Sequence, residues 1–415
     1  MTHGKASAGT LQIGIPACDE LAWLPRTLAD LANQTDMDFE VWVCLNQPSD
    51  WDADGSGREA ALGNQATHAV LRRLRKQQPF NLHILDATSP QLAPGPDEAG
   101  VGWARRQLFE TIFQARGVNA AGVSLDADTR VAPGYVAGLR NAFASYPNAV
   151  ACALPYHHPL PEKTAQARQL LRYEIYLRYF HLNLWRIGSP YALTALGSAL
   201  AFRGRAYQGA GGFSTRQAGE DFYLLQKLRK AGPVVAWVPD PVMPASRQSK
   251  RVPFGTGPLM VEGALPVIET RFPFYKVAHF DLIGQTYRAW EAWYDRPHRV
   301  PIQAFLDEAM GGDAPFERMR RNAASPGAFL RACHTRFDGL RILQCLRFFR
   351  ERDRAHSSGL AQISELLGLL GESESEGVAE GARIGPLNQL RERLWACEDR
   401  FRKTFMDQWD TARTW

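Results

Sequence analysis

Residues 123–133 read VSLDADTRVAP, an apolar run of strand type that ends in two aspartates separated by one alanine. If the chain stays extended here, successive side chains alternate, so Asp126 and Asp128 face one way while Ala127 turns back towards the interior. Two like charges on one patch repel unless a cation lies between them. Hard divalent cations such as magnesium or manganese take oxygen ligands of this kind and leave positions open for substrate phosphates. The same residues also suit a strand end followed by a turn, since Asp is common where strands stop. The surrounding sequence has to decide.

Upstream lie further β-rich runs, LQIGIPA (11–17), EVWVCLN (40–46) and NLHILDA (81–87). Together with GVSLDAD (122–128) they alternate with the helical patterns LPRTLADLANQ, REAALGNQATHAVLRRLRKQ and GWARRQLFETIFQARG. That rhythm means βαβ units, which set strands parallel in one sheet and bind ligands at the carboxyl ends of the strands. The two aspartates stand at that edge. So do the loop Pro16-Ala17-Cys18-Asp19-Glu20 after the first strand and Asn46-Gln47-Pro48 after the second.

Downstream, AVACALPY (149–156) leads into an amphipathic helix at 163–187 whose aromatic stripe reads as core packing. In GEDFYLLQKLRKAG, Leu224, Leu225 and Leu228 line one helix face, Lys227, Arg229 and Lys230 fill the last turn, and Gly232 stops it. Glu220 and Asp221 therefore open that helix, where compensation of the helix dipole is one use for them. A strand, VVAWVPD (234–240), opens a basic loop carrying Arg247, Lys250 and Arg251.

At 415 residues, 45% hydrophobic and 22% charged, the chain suits a soluble globular protein of two or three domains. A net charge of +5 fits the handling of phosphates and does not require nucleic acid. Six cysteines, Cys18, Cys44, Cys152, Cys333, Cys345 and Cys397, lack C-x-x-C spacing and read as buried free thiols in a reducing compartment. The polar start MTHGKASAGT leaves no room for a signal peptide, and no apolar stretch is long enough to span a membrane. A cytoplasmic location is expected. Beyond about residue 265 helical patterns dominate, so the expected division is a sheet domain over 1–262 and a mainly helical region over 263–415, with a mobile acidic loop near 371–381.

The ordered set of motifs over residues 10 to 260 resembles the family 2 glycosyltransferases of the GT-A fold. IPACDE is similar to that family's opening I-P-x-x-N-E, and GWARRQ to its A-R-N segment; LDADTRVAPGYV looks like its D-x-D, GSALAFRGRAY and AGGF like its acceptor-side segment, and GED like its E-D motif. The resemblance implies an α/β fold with a Rossmann-like, mostly parallel central sheet, flanking helices and here a C-terminal helical extension. It implies an inverting enzyme that moves a sugar from a nucleotide-diphosphate donor to an acceptor hydroxyl, with Mn2+ or Mg2+ as cofactor. Asp128 would hold the metal, and Asp126 the ribose or a metal-bound water. Pro16, Ala17, Cys18, Glu20, Asn46, Arg105, Ala127, Arg247 and Arg251 would line the nucleotide-sugar site, and Gly211, Gly212 and Phe213 the acceptor side. The catalytic base carries over to Asp221, with Glu220 beside it. For Arg105 a surface salt bridge is the competing account, and for Arg247 and Arg251 a solvated basic loop.

Two departures from the family pattern concern the base. Leu45 and Asn46 stand where the family usually has an aspartate, and Cys18 where an aromatic often stacks. The acceptor, whether glycan, lipid-linked or small molecule, is not legible, and the Arg-rich helix at 163–187 leaves room for peripheral membrane association. Other classes fit less well. A dehydrogenase needs G-x-G-x-x-G after the first strand and a nucleotidyltransferase a glycine-rich basic loop there; neither occurs. A non-catalytic nucleotide-sugar-binding protein would have lost the carboxylates that this chain keeps.

Overall fold

The computed structural model describes residues 9–51, 57–89, 91–215, 219–248, 260–261, 265–353, 358–372 and 383–407. Lys250, Arg251, and the loop expected near 371–381 from residue 373 on lie outside the described residues.

Strand β1 (Leu11–Ala17) is buried along its whole length, as a strand covered on both faces must be. It is flanked in parallel by β2 (Phe39–Asn46) and β4 (Ala121–Ser124), and β3 (Asn81–Ala87) adds in parallel beyond β2. The seven strands run in the order β3-β2-β1-β4-β6-β5-β7, with β5 at Ala151–Ala153, β6 at Leu200–Arg203 and β7 at Val234–Val235. Only β6 runs against its neighbours, antiparallel to β4 and β5. The sheet is thus the mostly parallel α/β sheet with flanking helices that the resemblance implied. Sequence order reverses beside β1, between β2 and β4, which is where an open parallel sheet leaves a ligand crevice.

The three upstream strands lie within a residue of where their apolar runs placed them, but β4 is shorter than the run GVSLDAD. It ends at Ser124, and only the Leu125 N–H continues, donating to the Gly14 carbonyl at 3.1 Å. The chain then turns, with Thr129 N–H donating to the Asp126 carbonyl at 3.1 Å. Asp126 and Asp128 therefore sit on a turn rather than on a strand, and the alternation argument does not apply to them. β6 lies inside the segment assigned to the acceptor side and was not expected as a strand.

Helix α1 (Leu24–Ala32) follows β1, α2 (Arg58–Leu74) follows β2 and α3 (Val101–Arg116) follows β3. The fourth unit closes with α4 (Tyr135–Ser145). α3 lies close on the sheet because β1 and β4 offer it glycines. A Cβ on Gly14 would fall 2.9 Å from the Phe109 ring, and one on Gly122 would fall 2.8 Å from both Phe109 and Phe202. Phe109 is one turn beyond Arg105 and Phe113 one turn further, so a single face of α3 carries all three. Their rings pack with Phe202, Tyr207 and Phe213. The short helix α6 (Gly204–Gly209) and α7 (Glu220–Ala231) complete this unit, which comprises the described residues of Met1–Glu162 and Thr194–Glu262.

The second unit comprises the described residues of Lys163–Leu193 and Gly263–Trp415, and is helical. It takes in α5 (Thr164–Arg186), which lies ahead of the expected boundary at 262 and packs against the helix Ile384–Asp407. The reason is charge as well as shape. Arg178 is fully buried and pairs with Glu174 and, at 2.6 Å, with Glu398; Arg402 also binds Glu398, at 2.7 Å. Buried guanidinium groups are tolerable only with such partners. On α5 the aromatics Tyr173, Tyr176 and Tyr179 are core residues, whereas of its arginines Arg178 is buried and Arg168, Arg172 and Arg186 are half-buried. No described helix is long and apolar enough to cross a membrane. The six cysteines are free thiols, five of them buried and Cys18 half-buried.

Replacing Gly122 by Ala tests how closely α3 is seated. Two rigid rings must move to admit the methyl group, so stability should fall by roughly 1–3 kcal/mol in denaturant unfolding.

Candidate active site

The carboxyl ends of β1 and β4 carry the first-strand loop and the D-A-D turn, and helix α1 holds the turn in place. Buried Thr27 donates from Oγ1 to the carbonyls of Ala127 (2.8 Å) and Thr129 (3.1 Å). Asp30 accepts from Arg130 Nη2 (2.7 Å) and from the Val131 N–H (3.2 Å). Gln34 donates to the Ala132 carbonyl (2.8 Å) and accepts from the Val136 N–H (3.0 Å). These three side chains were not anticipated. Their signal is in the sequence all the same: Thr27 is a polar residue on the face of the helix that also buries Leu24, Leu28 and Leu31, Asp30 is one turn further on, and Gln34 follows the helix end.

Of the residues expected to line the donor site, Pro16 and Ala17 are buried at the end of β1, and Glu20 is buried at the start of the next turn. Cys18 is half-buried. The neighbouring Asp19 has φ 54°, the only non-glycine residue with positive φ among those described. Such a conformation is uncommon and needs outside support, and Asn64 provides it by accepting from the Asp19 N–H at 2.8 Å. Asn46 turns its amide back to donate to the Ala17 carbonyl at 3.1 Å, while Leu45 is fully buried. One N–H of the Asn46 amide thus joins the β1 and β2 ends.

The two aspartates have different guanidinium partners. Asp128 Oδ2 accepts from Arg247 Nε at 2.6 Å, and Arg247 Nη2 also donates to Glu20 Oε1 at 2.5 Å. The Arg247 guanidinium lies over the Trp23 ring, 5.3 Å from its centre. Arg247 reaches the turn because its segment pairs with it: Met243 exchanges both backbone hydrogen bonds with Arg130, at 3.0 Å each. Asp126 Oδ1 accepts from Arg105 Nη2 at 2.5 Å, and Arg105 Nη1 donates to Glu220.

Arg105 is no surface residue. Its side chain is 4% exposed, lies above Phe213, and backs onto Gly197, where any Cβ would collide with the guanidinium. Burial by itself loosens the Arg105 proton, but the carboxylates of Asp126, Glu220 and Asp221 more than reverse this, and its pKa is raised. The expected reach of Arg105 towards a nucleotide is thus replaced by an internal bridge between the D-A-D turn and α7.

Gly219, with φ 77°, begins α7, so Glu220 and Asp221 occupy its first turn. Glu220 is buried and committed to Arg105. Asp221 is half-buried; among the described residues its carboxylate accepts only from the Phe222 N–H, at 2.7 Å. Burial first, and the Glu220 charge second, push its pKa up to about 7. Asp221 thus holds its proton well above the usual carboxylate range despite its place in the first turn of a helix.

On the acceptor side, Gly211 and Gly212 both have positive φ, and a Cβ on Gly212 would fall 2.8 Å from the Tyr207 hydroxyl. Phe213 is fully buried among Phe109, Phe202 and Tyr207, so its ring supports Arg105 from below and meets no acceptor. Arg251 is outside the described residues.

Among the described residues no group of three or more His, Cys, Asp or Glu is arranged to hold a metal ion. The donor chemistry nevertheless suits one. Asp126 and Asp128 offer carboxylate oxygens, and Mg2+ sites commonly use one or two carboxylates completed by substrate phosphates and water. Charge is concentrated at this place: Asp126, Glu220 and Asp221 surround Arg105, and Asp128 and Glu20 pair with Arg247.

Residues 123–294 match the family described as Glycosyl transferase family group 2. No curated protein matches the sequence. Among solved structures, S. aureus TarS 1–349 in complex with UDP-GlcNAc is similar at 12% identity and TM-score 0.41, over 96% of this chain and 92% of that one. The mannosyltransferase PcManGT from Pyrobaculum calidifontis, in complex with GDP-Man and Mn2+, is similar at 14% identity and TM-score 0.35, over 98% and 89%.

Because the folded protein resists ionising Asp221, this residue's contribution to stability is complete below its ordinary pKa of 3.8 and is lost as pH rises towards about 7. Asp221→Asn should therefore unfold at a higher temperature than the parent at pH 8. The gap should close as pH falls to 4, in melts recorded across that range.

Proposed function

On the basis of the match of residues 123–294 to Glycosyl transferase family group 2, we propose that the protein moves a sugar from a nucleotide-diphosphate donor to an acceptor hydroxyl, inverting the anomeric carbon. The observation that supports this best is the division between Glu220 and Asp221. Glu220 is held by a buried guanidinium, whereas Asp221 is half-buried, lacks a guanidinium hydrogen bond, and has a pKa near 7. A general base works best with its pKa close to the operating pH. Asp221 therefore takes the proton of the acceptor hydroxyl as the oxygen attacks, and a single displacement of this kind inverts the sugar carbon.

The donor lies across the ends of β1 and β4, the crevice that the strand order creates. Pro16 and Ala17 form its floor, and Asp126 and Asp128 face the diphosphate side. Asp128 and Asp126 would hold manganese or magnesium, which when bound would supply positive charge to the leaving diphosphate. Arg247 stands at the same place, and its planar fork suits phosphate oxygens as well as the carboxylates it now holds. A donor phosphate would compete with Asp128 and Glu20 for the Arg247 guanidinium.

UDP-GlcNAc and GDP-mannose are the first donors to try, each with manganese and with a chelator. Nucleotide affinity should fall when the metal is removed and in Asp128→Ala; equal affinity in all cases would overturn the metal assignment. Asp221→Asn should lower turnover by roughly two to four orders of magnitude with little change in donor affinity. The product should carry the inverted configuration by NMR, and near-normal turnover of Asp221→Asn would remove it as the base.

A further inference from the structure

The geometry points to Arg105 as a positioning residue that couples the two halves of the site, fixing the D-A-D turn and the opening turn of α7 as one unit, with Gly197 as the cradle that makes room for it. This deepens the glycosyltransferase reading and rests on it for the roles of Asp126 and Asp221.

Three observations carry it. Arg105 is almost completely buried, so it is not placed to meet a substrate. Its two terminal nitrogens go to different elements, Nη2 to Asp126 on the turn after β4 and Nη1 to Glu220 at the start of α7. Its Nε is buried without a hydrogen-bond partner among the described residues. An arginine used only to neutralise one carboxylate would be expected to present its fork to that carboxylate. Here the fork is split, and a buried polar N–H is left unmatched to achieve it.

The span explains the residue type. A guanidinium has donors on separate corners of a rigid plane, whereas a lysine ammonium is a single point that cannot serve two carboxylates on separate elements in the same way. The plane is held from both sides, by Phe213 at 5.9 Å from its ring centre and by Gly197. Glycine at 197 is needed for lack of a side chain; its backbone is not in the left-handed region. Since Glu220 precedes Asp221 directly, fixing Glu220 fixes where Asp221 stands relative to Asp126.

Amide hydrogen exchange of the protein alone reads the coupling without any assumption about activity. The protons to follow are those of Thr129 and Arg130 on the turn and Phe222 and Tyr223 on α7. Glu220→Gln, a change on α7, should speed exchange at Thr129 and Arg130. In an Arg105→Lys background, which keeps the buried positive charge, the same change should add nothing there. Additive effects in this cycle, or no effect of Glu220→Gln on the turn, would overturn the coupling.

Gly197→Ala keeps every charged group and displaces the guanidinium. It should lower kcat by roughly 10- to 100-fold, the effect of a displacement of about 1 Å at a reacting group, with donor KM changed by less than about threefold. A donor KM that rises as much as kcat falls would instead make Arg105 a donor ligand. Exchange coupling in a protein that binds no nucleotide sugar would refute the glycosyltransferase reading and leave the bridge standing.

Discussion

A guanidinium enclosed by carboxylates holds this site together. Taking Arg105 out of water costs several kcal/mol, and removing a partner from such a group costs about as much again, because a charge is left buried and unpaired. The bridge to Asp126 and Glu220 is therefore not one contact among many. It ties α3 at once to the turn after β4 and to the first turn of α7. The glycines serve the same end. Gly14 and Gly122 admit the Phe109 ring beneath α3, and Gly197 admits the guanidinium above Phe213.

The second ion cluster, Arg247 with Asp128 and Glu20, differs in kind. Its members are roughly 8–21% exposed, it rests on Trp23, and its groups are ones a phosphate or a metal can also satisfy. The Arg105 bridge runs from almost fully buried Glu220 to Asp126, which is 33% exposed and so, like the Arg247 cluster, within reach of a ligand. Low dielectric strengthens the Arg105–Glu220 pair, whose two side chains are both almost fully buried.

How much of this was legible in the sequence follows from the length scale of each cause. The first three strands could be read directly, because a strand buried on both faces needs an unbroken apolar run and little else. The end of β4 could not: Leu125 and Ala127 continue the apolar pattern, but the turn is set by Thr27, some 100 residues away in sequence. Asp126, Asp128, Glu220 and Asp221 were found as chemistry by their motifs, yet their partners were not, since pairing depends on which arginines the fold brings in. Arg105 was expected to reach outwards and is buried. Phe213 was placed with the acceptor and belongs to the core. The grouping of α5 with the second unit was hidden for the same reason, as the glutamate that matches Arg178 lies 220 residues further on.

Adjacent carboxylates with different fates are the last consequence of the bridge. One buried arginine has two terminal nitrogens, and three carboxylates lie within its influence. Asp126 and Glu220 take the hydrogen bonds, so Asp221 receives only part of the arginine's field and also feels the charge of Glu220. A carboxylate so placed holds its proton to about pH 7. Had Arg105 paired with Asp221 instead, that carboxylate would be a weak base, held in its ionised form and unable to accept a proton at neutral pH. In the proposed mechanism, leaving Asp221 out of the ion pairs is what would equip it as the proton acceptor, and the same arginine that excludes it also binds its neighbour Glu220.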